Sequence, residues 1–77
     1  MTTAFVLINA ESGVEGEVLR QIQQIVGVAE ARIVYGVYDI VAKVEGSTPE
    51  DVREIVIKQI RYLDHIQATL TLLVVEP

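Results

Sequence analysis

Ala4-Phe5-Val6-Leu7-Ile8 is apolar at odd and even positions alike, and near the other end of the chain Leu70, Leu72 and Val74 alternate with Leu73 and Val75. In a β-strand successive side chains point to opposite faces, so strands of this composition are apolar on both. A half-solvated antiparallel sheet would instead alternate apolar and polar residues. Whatever sheet these segments form must therefore be covered on two sides. A chain of 77 residues has enough length for one layer of helices, which leaves the second side to another molecule.

The segments between these two runs set the order of elements. Thr3 to Asn9 reads as a strand. Glu11 to Val26 reads as a helix with an apolar stripe of Val14, Val18, Leu19, Ile22, Ile25 and Val26. Ser12 is the expected N-cap, with Glu15 at capping-box spacing, and Gly27 suits the left-handed position after the helix. Val28 to Tyr35 and Tyr38 to Glu45 read as two strands around Gly36. A second helix starts with Thr48 as N-cap and Pro49 at its first position, with Glu50 and Asp51 in its first turn. Its stripe is Val52, Ile55, Val56, Ile60 and Leu63, and Ile57 lies off it. His65 to Val75 reads as the last strand.

Strand-helix-strand therefore occurs twice, and the expected fold is α+β: a ferredoxin-like βαββαβ plait. Right-handed crossovers place both helices on one face of a four-stranded antiparallel sheet. The whole chain, 1–77, is expected to be a single domain. A lone core of this size is marginal and calls for a staple. Cys is absent, which excludes disulfides. With 51% hydrophobic residues, the expected staple is self-association, sheet against sheet, in a dimeric α/β-barrel type assembly.

The formal net charge is −5. The six basic residues, Arg20, Arg32, Lys43, Arg53, Lys58 and Arg61, are scattered along the chain. Direct nucleic-acid binding and binding to anionic membranes are not expected, because phosphate contacts need clustered Lys and Arg. No apolar run approaches the roughly 20 residues of a spanning helix, and no signal-peptide pattern opens the chain. A cytoplasmic location is expected. With one His and no Cys, neither a metal centre nor a cofactor is expected.

Chemistry-bearing residues concentrate in two places. Tyr35-Gly36-Val37-Tyr38-Asp39 joins a glycine, which tolerates positive φ and close approach, to two amphipathic rings and a carboxylate. This suits a ligand wall or a subunit contact, although Gly and Asp are also ordinary turn residues. Thr69 and Thr71 project from one face of the last strand, where two buried hydroxyls would need partners. His65 has no sequence neighbour that would make it catalytic, and no catalytic residue is assigned.

Val34-Tyr35-Gly36-Val37-Tyr38-Asp39-Ile40-Val41, a short acidic turn into a helix and a final strand bearing Thr69-Leu70-Thr71 together resemble the effector domain, called RAM, of the Lrp/AsnC regulators. The likeness runs from Ala4 to Val75. It implies the plait described above, dimers formed through the sheets, and rings of dimers. It also implies that a free amino acid, small or branched-chain, binds between dimers, and that the protein is not an enzyme. Full-length relatives carry a preceding helix-turn-helix domain. This chain begins at the first strand and resembles the stand-alone modules, so DNA binding is not carried over and a full-length Lrp/AsnC regulator is a further expected partner. The implied ligand-binding residues are Tyr35, Gly36, Tyr38, Asp39, Thr69 and Thr71. Asp39 would receive the ammonium or fix the loop, the backbone around Gly36 would meet the carboxylate, and the threonines would contribute from the adjoining dimer.

Three other readings share the same fold. A purely structural oligomerisation module would show no ligand response. A small monooxygenase-like enzyme of the dimeric α/β-barrel type would need a polar or aromatic constellation, and the strands are mostly aliphatic. An ACT-like regulatory domain would place its glycine near Gly13, between the first strand and the first helix.

Overall fold

The computed structural model describes residues 1–75. Element order is β1 (Thr2–Ala10), α1 (Glu15–Gln23), β2 (Val28–Ile33), β3 (Ile40–Gly46), α2 (Pro49–Glu54), a π-helical continuation over Ile55–Ile60, and β4 (Ile66–Leu73). The strands form one antiparallel sheet in the order β2-β3-β1-β4. This is the expected plait.

Alternation on β1 divides the sheet into two faces. Ala4, Val6, Ile8 and Ala10 point to the helices and are buried. They continue across the sheet into Ile40, Ala42 and Val44 of β3 and into Ala31 of β2. Val18 and Ile22 of α1, with Val52, Val56 and Ile60 of the second helix, close the core from above. On the opposite face Phe5 is 39% exposed, and Leu70 and Leu72 are 44% and 49% exposed. Phe5 pairs with Leu72 and Leu7 with Leu70. The β1 and β4 part of the helix-free face is thus apolar and uncovered in the single chain, while Lys43, Glu30 and Arg32 make its β2 and β3 part charged.

Helix α1 departs from the expected bounds at both ends. It starts at Glu15, with Val14 in the cap position and no side-chain cap. Gly13 takes φ +92°, which breaks the geometry a Ser12 capping box needs, and the Glu15 carboxylate accepts the Gly13 N–H at 3.0 Å instead. The helix stops at Gln23, and Val26, counted in the stripe, is exposed. Gly27 has φ +102°, and its carbonyl accepts the Glu45 N–H at 2.8 Å. A Cβ there would collide with Ile55 Cδ1. Both the backbone angle and the close approach favour glycine at this position.

The second helix begins as expected: Thr48 Oγ1 accepts the Asp51 N–H at 3.1 Å, and Pro49 occupies the first turn. Its second half is π-helical, with the Arg61 N–H donating to Val56 O at 2.9 Å. The stripe explains this. Val52, Val56 and Ile60 recur every fourth residue, slower than the 3.6-residue α period, and a wider turn keeps Ile60 over the core.

The hairpin strands are shorter than expected. β2 ends at Ile33 rather than Tyr35 and β3 starts at Ile40 rather than Tyr38. The ladder closes at Ile33 and Ile40, and residues 34–39 form a loop drawn in by a Val34 N–H to Asp39 O bond of 2.8 Å. β4 starts at Ile66, one residue after the expected His65, which sits in the left-handed region at φ +72°.

Candidate ligand-binding site

Two helices lie over four strands, and they are not spread evenly. α1 packs on β2 and β3, and α2 on β1 and β3. The helix-side face of edge strand β4 is left open, and an open groove of about 870 Å³ runs between it and the second helix. Thr69 and Thr71 face this groove because they stand opposite Ile8 and Val6, on the helix side of the sheet. Neither hydroxyl is fully buried: Thr69 is half-buried and Thr71 exposed. The expectation of two buried hydroxyls needing protein partners is therefore replaced by two hydroxyls open to a groove.

A bulge shapes the same wall. The register steps from Asn9 opposite Ala68 to Ala10 opposite Ile66, which leaves Gln67 as an extra residue. Such bulges re-aim side chains next to sites, and Gln67 lines the groove. The opposite wall belongs to the second helix: Val52 and Val56 lie deep, and Pro49, Arg53, Ile57 and Arg61 form the rim. Sequence reasoning treated the two arginines as scattered. The signal was present, since Pro49, Arg53, Ile57 and Arg61 are spaced by four residues.

The hairpin residues lie elsewhere. Tyr35, Gly36, Tyr38 and Asp39 belong to the 34–39 loop, and none of them lines the groove. Tyr35 is fully exposed and Val37 nearly so. Tyr38 and Asp39 are half-buried. Asp39 is held from two sides: its backbone N–H donates to Ile8 O at 3.0 Å, and its Oδ2 accepts the Ala10 N–H at 3.0 Å. Gly36 is not among the positive-φ residues, and a Cβ on it would meet nothing within 4 Å. The expected use of Gly36 for left-handed backbone or close approach is not met within the chain. The six implied residues thus fall into two groups, which one chain does not bring together.

Other polar features are structural links. Glu11 reaches His65 across the sheet end, with Glu11 Oε2 3.3 Å from Nδ1 and the Glu11 N–H donating to His65 O at 2.9 Å. That partner lies too far away in sequence to be read from spacing. On the helix-free side the Arg32 guanidinium, by hydrogen bond and by charge, holds the Glu30 carboxyl below its ordinary value and is itself raised. Among the described residues no group of three His, Cys, Asp or Glu is placed to hold a metal. No helix among them is long and apolar enough to cross a membrane.

Comparison with known proteins gives this geometry a context. Residues 3–77 match the model of the Lrp/AsnC ligand binding domain. An uncharacterised HTH-type transcriptional regulator of Pyrococcus furiosus is 43% identical over 74 residues, covering 92% of this chain and 49% of the relative. The chain thus spans about half the length of the curated relatives it matches. The crystal structure of TTHA0845 from Thermus thermophilus superposes with a TM-score of 0.95 at 34% identity, covering 100% of this chain and 96% of that one. A transcriptional regulator of Neisseria meningitidis, solved as an L-Met complex, shares the fold alone: its TM-score is 0.85 at 12% identity, over 97% of this chain and 50% of that one. With a family match over nearly its whole length and this plait, the chain belongs to the Lrp/AsnC ligand-binding-domain family.

Proposed function

We propose that residues 1–77 form one non-catalytic, amino-acid-binding regulatory module that responds to a small or branched-chain amino acid. The observation that carries this is the pair of threonines on β4, Thr69 and Thr71, left facing an open groove within a ligand-binding-domain family. The L-Met bound to the Neisseria meningitidis regulator is an example of the ligand class on the same fold. Tyr35, Gly36, Tyr38 and Asp39 complete the site from an adjoining dimer. The loop backbone around Gly36 meets the carboxylate, Asp39 fixes that loop and faces the ammonium, and a tyrosine flanks the side chain.

Assembly follows from the uncovered face. Phe5, Leu7, Leu70 and Leu72 form an apolar surface of the kind that marks an interaction site. A second copy covers it sheet to sheet, and dimers join into a ring. The module works in the cytoplasm, does not bind nucleic acid directly, and can co-assemble with a full-length Lrp/AsnC regulator.

The test is thermal unfolding with each of the twenty amino acids at millimolar concentration. A ligand at about 100 times its Kd adds roughly 2.7 kcal/mol per site, which moves the midpoint of so small a domain by several degrees. A shift confined to a few related amino acids is expected. No shift with any of them removes the sensor reading.

A further inference from the structure

Ile57 is the apolar side chain the core does not use: it is 42% exposed and off the line of Val52, Val56 and Ile60. It is not isolated. Residues four apart share a helix face, so the rim of the groove reads Pro49, Arg53, Ile57, Arg61, an isoleucine between two arginines in one row. Thr69 and Thr71 stand across from this row, and Val52, Val56 and Leu73 supply apolar surface between.

Arg32, Lys43 and Lys58 each pair with a glutamate. Arg53 and Arg61 enter no ion pair among the described residues, although eleven acidic side chains stand against six basic ones in the chain. A guanidinium offers five N–H donors in a planar fork that matches a carboxylate. Threonine hydroxyls can donate to or accept from the rest of a polar head. The volume, about 870 Å³, lies within the range of small-molecule sites.

We propose that this groove is a receptor for a small aliphatic carboxylate. Arg53 and Arg61 take its anionic end, Ile57 with Val52, Val56 and Leu73 holds its hydrocarbon part, and Thr69 and Thr71 bond its remaining polar atoms. The inference rests on the ligand-binding reading of the Thr69 and Thr71 groove, and it moves the anion contact from the hairpin to the second helix. Recognition then depends first on the carboxylate, a group that an amino acid and its 2-oxo acid share, and Asp39 adds a contact where the ligand has an ammonium.

The experiment is isothermal calorimetry on the full chain with three probes: L-leucine, its 2-oxo acid 4-methyl-2-oxopentanoate, and isopentylamine, which lacks the carboxylate. Both acids are expected to bind and the amine not. Arg53→Gln and Arg61→Gln are exposed substitutions whose folding is checked by circular dichroism. Each should weaken acid binding by about tenfold or more, the scale of a hydrogen bond to a charged group, and added salt should weaken it further. Asp39→Asn should weaken L-leucine alone. Acid binding unchanged in both folded arginine variants overturns the proposal; if Asp39→Asn then still abolishes L-leucine binding, the amino-acid sensor survives without it. Arginine-dependent binding of the 2-oxo acid, with no response to any amino acid, supports the groove and removes the sensor. No heat from either acid overturns the groove proposal, and the sensor reading is then decided by the twenty-amino-acid unfolding screen.

Discussion

Asp39 Oδ2 accepts the backbone N–H of Ala10 at 3.0 Å, across 29 residues of sequence. That N–H lies at the end of β1, where the bulge opposite Gln67 interrupts the ladder with β4. The carboxylate read as a ligand contact is therefore also a clamp between the hairpin loop and the central strand.

Asp39→Ala leaves the Ala10 donor without a partner in a half-buried setting, at a cost of about 1–3 kcal/mol. In a domain of this size each kcal/mol lowers the thermal midpoint by roughly 4–8 °C. Asp39→Asn keeps an acceptor oxygen and should lose much less. Melting curves of the two variants check this, and equal midpoints for Asp39→Ala and the parent protein would refute the clamp. The asparagine variant is the appropriate one for ligand measurements.

Gly27 and Gly36 should respond in opposite ways to alanine. Gly27→Ala places a Cβ at φ +102° and against Ile55 Cδ1, and is expected to destabilise by upward of about 1 kcal/mol. Gly36→Ala meets open space and should stay within roughly 1 kcal/mol of the parent, on either side. Chemical denaturation of both variants decides it; a large loss at Gly36 would show that the loop backbone is constrained by contacts outside the chain.

The Glu30–Arg32 pair predicts a pH effect with a definite sign. The folded pKa of Glu30 lies below its ordinary 4.5, so the pair's contribution is complete above that value and disappears as pH falls through the folded pKa. Arg32→Gln should move the Glu30 titration back up, followed by the NMR shift of its carboxyl carbon. Because both groups are exposed, the melting midpoint at neutral pH should barely change. Identical titrations in the two proteins would dismiss the pairing.

Ile60 is fully buried at the end of the π-helical segment. Ile60→Ala should cost about 2–5 kcal/mol, a large share of the total stability of about 5–15 kcal/mol that native domains have. A steep drop in the denaturant midpoint is expected. A loss under about 1 kcal/mol would mean that the core collapses readily around the vacancy.

Leu70→Glu with Leu72→Glu puts two charges on the helix-free face. Sedimentation velocity should report a monomer where the parent self-associates. An unchanged assembly would move the subunit contact away from the sheet.

Much of the fold was legible because it follows from local rules. Thr48 and Pro49 announce a helix start by capping and by fixed φ, and the two-sided apolar runs of β1 and β4 announce a hydrophobic patch on the sheet's free face. Most of what was missed depends on contacts remote in sequence, and the cap of the first helix is the local exception. Ser12 failed as a cap because Gly13 turned left-handed. The partner of His65 is Glu11, 54 residues away. The arginine row was readable from its four-residue spacing, but its place on the rim of a groove became visible only once the second helix was set beside β4. The site was legible in its residue types and less so in its arrangement, since the hairpin and the threonines share no groove within one chain.

The π-helical turn at Ile55–Ile60 has a consequence for insertions and deletions. A one-residue change in a helix ordinarily rotates everything beyond it by about 100°. Here the surplus is already present: removing Lys58 would put Ile60 seven residues after Val52, in step with an ordinary α-helix facing the same core. Arg61 would then draw one residue closer to Arg53 while the buried stripe kept its place. The span between the two guanidiniums is thus set by residue count as well as by residue identity, and relatives differing by one residue here would present rims of different reach on the same core.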